Sequence, residues 1–142
     1  MLSNILVPVD GSENSFRALE HAIFLSTKIQ GVKIAVIYIM EDLPTVYIYS
    51  PKIMEKINED YKRESEKILE RCKEMTKKEE IDIHSAILKG DPASKIIEYS
   101  EKQRPDIIIM GRSGMGKFKE ALIGSISNKV LHHAKCSVMF VR

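Results

Sequence analysis

The chain has 142 residues, 44% hydrophobic and 30% charged, with a net charge of only +2. That length suits one domain with a real core, here residues 1–142, and the composition excludes a disordered chain. The near-neutral balance lacks the basic footprint of a nucleic-acid binder.

No run approaches the ~20 apolar residues of a membrane span, and no basic leader precedes an apolar stretch. A cytoplasmic protein without a membrane partner is therefore expected. Cys72 and Cys136 match no CxxC pattern. They read as two buried thiols in a reducing compartment.

Ile5–Val9 is a nearly unbroken apolar run, the mark of a strand covered on both faces. Asp10-Gly11-Ser12 breaks it, and Ser12 is a natural N-cap. Phe16, Leu19, Ala22, Ile23, Ser26 and Ile29 then share one helical stripe, which ends near Gly31. Ile34–Ile39 is a second covered strand. Asp42–Pro51 reads as a loop carrying Tyr47 and Tyr49.

Met54, Ile57, Tyr61, Ser65, Ile68, Cys72 and Met75 recur at steps of three and four, predicting the longest helix with Cys72 on its buried stripe. Residues 81–88 alternate between apolar and polar, which predicts a less covered strand at a sheet edge. Asp91 and Pro92 open a helix as N-cap and first helical position. Ile107–Met110 is a further covered strand. A glycine-rich stretch, Gly111–Gly124, precedes a helix over about Ser125–Ala134 and a last strand, Ser137–Val141. Strands alternating with helices imply right-handed crossovers and a parallel sheet with helices on both faces.

In such a sheet, ligands bind outside the carboxyl ends of the strands, where strand order reverses. Two loops there draw attention, Pro8-Val9-Asp10-Gly11 and Gly111-Arg112-Ser113-Gly114-Met115-Gly116-Lys117. Glycines let backbone N–H groups turn inward onto an anion, and Arg112 and Lys117 add positive charge. Gly124-Ser125-Ile126-Ser127 opens a helix whose N-terminus favours phosphate. The bland alternative is a surface loop making tight turns. Gly111-x4-Gly116-Lys117 nearly spells a P-loop, but Phe118 follows the lysine and the motif sits after the fourth strand rather than the first.

Gly111-x2-Gly114-x9-Gly124-Ser125 resembles the G-x2-G-x9-G-[S/T] pattern of ATP-binding universal stress proteins. The resemblance spans the chain and includes Ile5–Ser12, Asp106–Gly111, Gly124–Leu131 and Lys135–Arg142. It implies an open five-stranded parallel sheet in the order 3-2-1-4-5, of the adenine-nucleotide α-hydrolase-like type. It implies that Pro8, Val9, Asp10 and Ile39 line the adenosine end. By the same likeness Met110, Gly111, Arg112, Gly114, Gly124, Ser125, Ile126 and Ser127 surround ribose and phosphates. Ser137 stands where the family usually has proline, and Arg112 is bulky where a small polar residue is common.

The family likeness implies ATP, with Mg2+, in a homodimeric stress-response module that pairs through its C-terminal strand and acts on an unknown signalling partner. Asp10 could meet a ribose hydroxyl, the adenine amino edge or a magnesium shell, or simply cap the turn into the first helix. No Cys/His cluster has metal-ligand spacing, and neither Ser113 nor Ser125 belongs to a hydrolase motif. No catalytic residue is assigned, and any ATP hydrolysis is expected to be slow. Two alternatives keep the fold: a dimeric interaction protein that binds no nucleotide, and an adenine-nucleotide hydrolase-type enzyme.

Overall fold

The computed structural model describes residues 1–42, 50–112 and 123–142. Most of the loop expected over Asp42–Pro51, and residues 113–122 of the glycine-rich stretch, lie outside these. The elements are β1 (Asn4–Val9), α1 (Glu13–Lys28), β2 (Lys33–Met40), α2 (Pro51–Lys77), β3 (Ile83–Lys89), α3 (Pro92–Gln103), β4 (Ile107–Gly111), α4 (Ser125–His133) and β5 (Ser137–Val141). The strands form one parallel sheet in the order β3-β2-β1-β4-β5.

The apolar runs of β1, β2 and β4 lie in the middle of this sheet, where both faces are covered. Along β1 the side chains alternate between faces. Ile5, Val7 and Val9 pack with Phe16, Leu19, Ile68, Leu69 and Cys72 from α1 and α2. Leu6 packs on the opposite face with Ile37, Ile108, Ala93, Ile96 and Val130, beneath α3 and α4. Leu6 lies between Ala35 and Ile108 in register, so the two cores meet along the central strands. Fully burying each such Leu or Ile is worth about 1.5–3 kcal/mol.

Side chains set three of the helix starts. Ser12 accepts the Ser15 N–H at 3.2 Å, Ser50 the Ile53 N–H at 3.4 Å, and Asp91 the Ser94 N–H at 2.9 Å. Each satisfies a donor that the first helical turn leaves without an intrahelical partner. β3 is an edge strand with no fully buried residue, as its alternation predicts. It starts two residues later than the pattern suggests. Glu80 adopts a left-handed φ of 56° and the Ile81 N–H donates to the Thr76 carbonyl at 3.1 Å, so Ile81 belongs to the turn that ends α2. The expectation of two buried thiols holds for Cys72 only. Cys136 is half-buried, and both cysteines are free.

Candidate functional site

Strand order reverses between β1 and β4. The chain leaves β1 for α1 on one face and β4 for α4 on the other, which opens a crevice at the carboxyl edge. A cavity of about 430 Å³ occupies it. That volume lies within the range of small-molecule sites, about 300–1,000 Å³.

One side of the cavity is apolar, with Ile39, Pro92, Ile96, Met110 and Ile126. The other is polar, with Asp10, Ser12, Ser15, Tyr38, Glu41 and Tyr61. Pro8, Val9, Gly111, Gly124, Ser125 and Ser127 complete the lining.

The β1 turn is held by its own side chains. Asp10 Oδ1 accepts the Ser12 N–H at 2.9 Å, and the Asp10 N–H donates to Ser15 Oγ at 3.4 Å. Asp10 therefore does cap the turn, but a carboxylate has room for further donors and this one faces the cavity. At the end of β4, Gly111 runs against the start of α1. A Cβ there would lie 3.0 Å from Asn14 Cβ and 3.2 Å from the Ser15 backbone nitrogen. A side chain there is tighter than ordinary packing and would require the start of α1 to give by a few tenths of an ångström.

The glycine-rich loop is closed at its neck by backbone. The Arg112 N–H donates to the Val141 carbonyl at 2.8 Å, and the Gly124 N–H to the Arg112 carbonyl at 3.1 Å. Ser127, buried at the start of α4, donates its hydroxyl to the Gly111 carbonyl at 3.0 Å. These bonds aim α4 at the cavity, and α4 differs from the other three helices there. Gly124 is its N-cap, and no side chain among the described residues caps it. Its first N–H groups and the positive end of its dipole are thus presented beside Ser125 at the cavity wall. Lys129 fixes the same helix to α3 through Asp91, at 3.1 Å, and Ser94, at 3.0 Å. The Ser94 hydroxyl, the Ser94 N–H and Lys129 together hold the Asp91 carboxyl down to about 2.

Ten of the residues expected at the site line the cavity: Pro8, Val9, Asp10, Ile39, Met110, Gly111, Gly124, Ser125, Ile126 and Ser127. Arg112 is not among the lining residues, and its backbone closes the neck between β4 and α4. Gly114 lies outside the described residues. The sequence reading missed Ser15, Tyr38, Glu41 and Ile96 as lining residues, and gave Ser12, Pro92 and Tyr61 only capping or packing roles. Tyr61 could have been noticed as a tyrosine on a mainly apolar stripe, since its hydroxyl needs a polar outlet. Burial pushes the Tyr38 phenol up from its ordinary value. Glu64, Tyr61, Asp10 and Glu41 push it the same way, so it is a neutral donor near pH 7.

Among the described residues no group of three or more His, Cys, Asp or Glu side chains could hold a metal. Burial raises the Cys72 thiol to about 11, which makes it a packing residue rather than a nucleophile. No helix among the described residues is long and apolar enough to cross a membrane.

The universal stress protein family model matches residues 1–142. The chain belongs to the universal stress protein family. It is 32% identical over 142 residues to universal stress protein MJ0531 of Methanocaldococcus jannaschii, covering 100% of this chain and 83% of that one. Among solved structures it is similar to MJ0577, with a TM-score of 0.88 and 25% identity over 99% of this chain and 96% of the other. An Arabidopsis thaliana family member solved with AMP bound matches with a TM-score of 0.73 and 20% identity, over 98% and 90% of the two chains. A universal stress protein solved with cAMP matches with a TM-score of 0.74 and 19% identity, over 99% and 97%.

Proposed function

We propose that this universal stress protein binds ATP, accompanied by Mg2+, in the carboxyl-edge cavity, and acts as a homodimeric, cytoplasmic stress-response module. The observation that carries the reading is the start of α4. No described side chain caps it, and it opens onto a cavity whose α3–α4 wall is apolar enough for a base. Pro8, Val9 and Ile39 would take the adenosine end. Gly111, Gly124 and Ser125 would take the phosphates, by backbone N–H groups and one hydroxyl. Family members solved with AMP and with cAMP support an adenine nucleotide as the ligand class.

Magnesium usually keeps several waters and needs one or two carboxylates beside the phosphates, and Asp10 on the cavity wall suits that need. When bound, the ion would neutralise phosphate charge. Hydrolysis is expected to be slow, since no residue pair is assigned to activate water.

Calorimetry with Mg·ATP tests the reading. Binding is expected in the wild type. It should be lost in Gly124→Val and Gly114→Val while circular dichroism stays unchanged. Ser125→Ala should weaken it tenfold to a hundredfold, because a hydroxyl bonded to charged phosphate is worth about 1.5–3 kcal/mol. Affinity undiminished in both glycine variants would place the nucleotide elsewhere. No heat at all would leave a dimeric interaction protein as the better description.

For assembly, β5 is a sheet edge carrying half-buried Val138, Met139 and Phe140, an open template for a second copy. An isologous antiparallel pairing there closes on itself. Light scattering should give twice the mass of the chain, and Met139→Pro should give the monomer or aggregate. A monomeric wild type at micromolar concentration would refute that arrangement.

A further inference from the structure

We propose that the Tyr61 ring contacts the bound nucleotide and that this contact docks the first half of α2, so that α2 reports whether the cavity is filled. The inference rests on the nucleotide reading above and goes beyond it by assigning the element that responds.

The burial of α2 is uneven along its length. Its buried residues, Ser65, Ile68, Leu69, Cys72 and Thr76, all lie in the second half. That half is fastened at several points. Ile68 sits against the β1 turn, where a Cβ on Gly11 would come within 2.9 Å of its Cδ1. Arg71 lies 3.8 Å from the centroid of the Phe16 ring and bridges Glu13 at 3.2 Å.

No residue of Pro51–Glu64 is buried. Its inward stripe, Met54, Ile57 and Tyr61, is only half-buried, and Ile53 is 49% exposed. A helix of that length is marginal in water without tertiary packing, so this half belongs to the low-stability end of the molecule.

Tyr61 stands at the boundary, one turn before Ser65, and it is the α2 residue among those lining the cavity. A ligand shifts a docking equilibrium only by contacts that differ between the docked and undocked states. The Tyr61 ring supplies such a contact, because it reaches the cavity only when its half of the helix is docked. Tyr38 stands on the same wall from β2 and forms a fixed surface beside it. The coupling is reciprocal: ordering of α2 by the nucleotide requires that docking of α2 tighten the nucleotide.

Hydrogen exchange with and without Mg·ATP, alongside calorimetry, tests this. In the wild type, ATP should slow exchange of the 51–64 amides by about fivefold or more, the lower end of ordinary coupling. Tyr61→Ala should abolish that protection and weaken ATP by a similar factor, while protection at residues 123–127 persists. Tyr61→Phe, which keeps the ring, should behave as wild type. The inference fails if ATP binds and protects 123–127 but leaves 51–64 unchanged. It also fails if Tyr61→Ala keeps the protection or Tyr61→Phe loses it. No binding and no protection anywhere would overturn the nucleotide reading itself, and this inference with it.

Discussion

The two ends of the sheet treat polar groups in opposite ways. At the amino ends, Asp106 accepts the N–H groups of Ser3 and Asn4 on one carboxylate oxygen, at 2.7 and 2.8 Å. The Asp106 N–H in turn donates to the Asn4 carbonyl at 2.9 Å, and the Lys33 N–H to the Ser3 carbonyl at 2.8 Å. These bonds tie β1 to its neighbours. At the carboxyl ends, Asp10 gives one oxygen to Ser12 and faces a cavity, and no described side chain caps the start of α4. An aspartate at one end seals the sheet. At the other it shapes a turn and keeps capacity for a ligand. Ligand binding at such an edge follows from what the fold leaves incompletely bonded, as much as from what it places there.

The largest effect that would separate the two ends is expected at Gly111. Valine there would drive its side chain into Asn14 and the Ser15 backbone, so β4 and α1 must part. Overpacking of this kind costs about 1–3 kcal/mol, and the thermal midpoint should fall by several degrees. The start of α1 and the β1 turn both border the cavity, so ATP affinity should fall by more than the roughly hundredfold upper limit expected for Ser125→Ala. Calorimetry and thermal circular dichroism on Gly111→Val measure both. A folded variant with wild-type affinity would show that the closeness of β4 and α1 is structural only.

Much of this was legible in the sequence, for physical reasons that can be named. β1, β2 and β4 are covered on both faces, so their apolar runs announce them, and Asp91-Pro92 marks the start of α3 by local chemistry alone. The site backbone at Gly111 and Gly124 was legible because the two glycines stand at the spacing of the family pattern, and at Gly111 the chain passes close to α1. Tyr38, Glu41 and Tyr61 were not, since they meet only through the packing of α2 over β2. The late start of β3 was hidden as well, because it depends on a glutamate, Glu80, taking a left-handed conformation that favours glycine. The backbone role of Arg112 was not legible either. Its charge draws notice in the sequence, while in the fold its backbone closes the neck between β4 and α4.

The smallest effect expected lies at the sealed end and concerns pH. The Ser3 N–H, and then the Asn4 N–H, hold the Asp106 carboxyl below its ordinary value. A folded-state pKa below the unfolded one gives stability that is present above the unfolded value, about 3.9, and lost as pH falls through the folded one. Asp106→Asn removes the charge that those two N–H groups favour but keeps an amide oxygen as acceptor. Urea midpoints should therefore be slightly lower for the variant at pH 7, and the gap should narrow as pH drops below about 4. ATP affinity at pH 7 should not change, because Asp106 lies at the opposite edge of the sheet from the cavity. A gap that stays constant down to low pH would mean that the carboxylate charge contributes nothing at this end. Weakened ATP binding would mean that the two ends are coupled through β1, and that the contrast between a sealed edge and an open one is too simple.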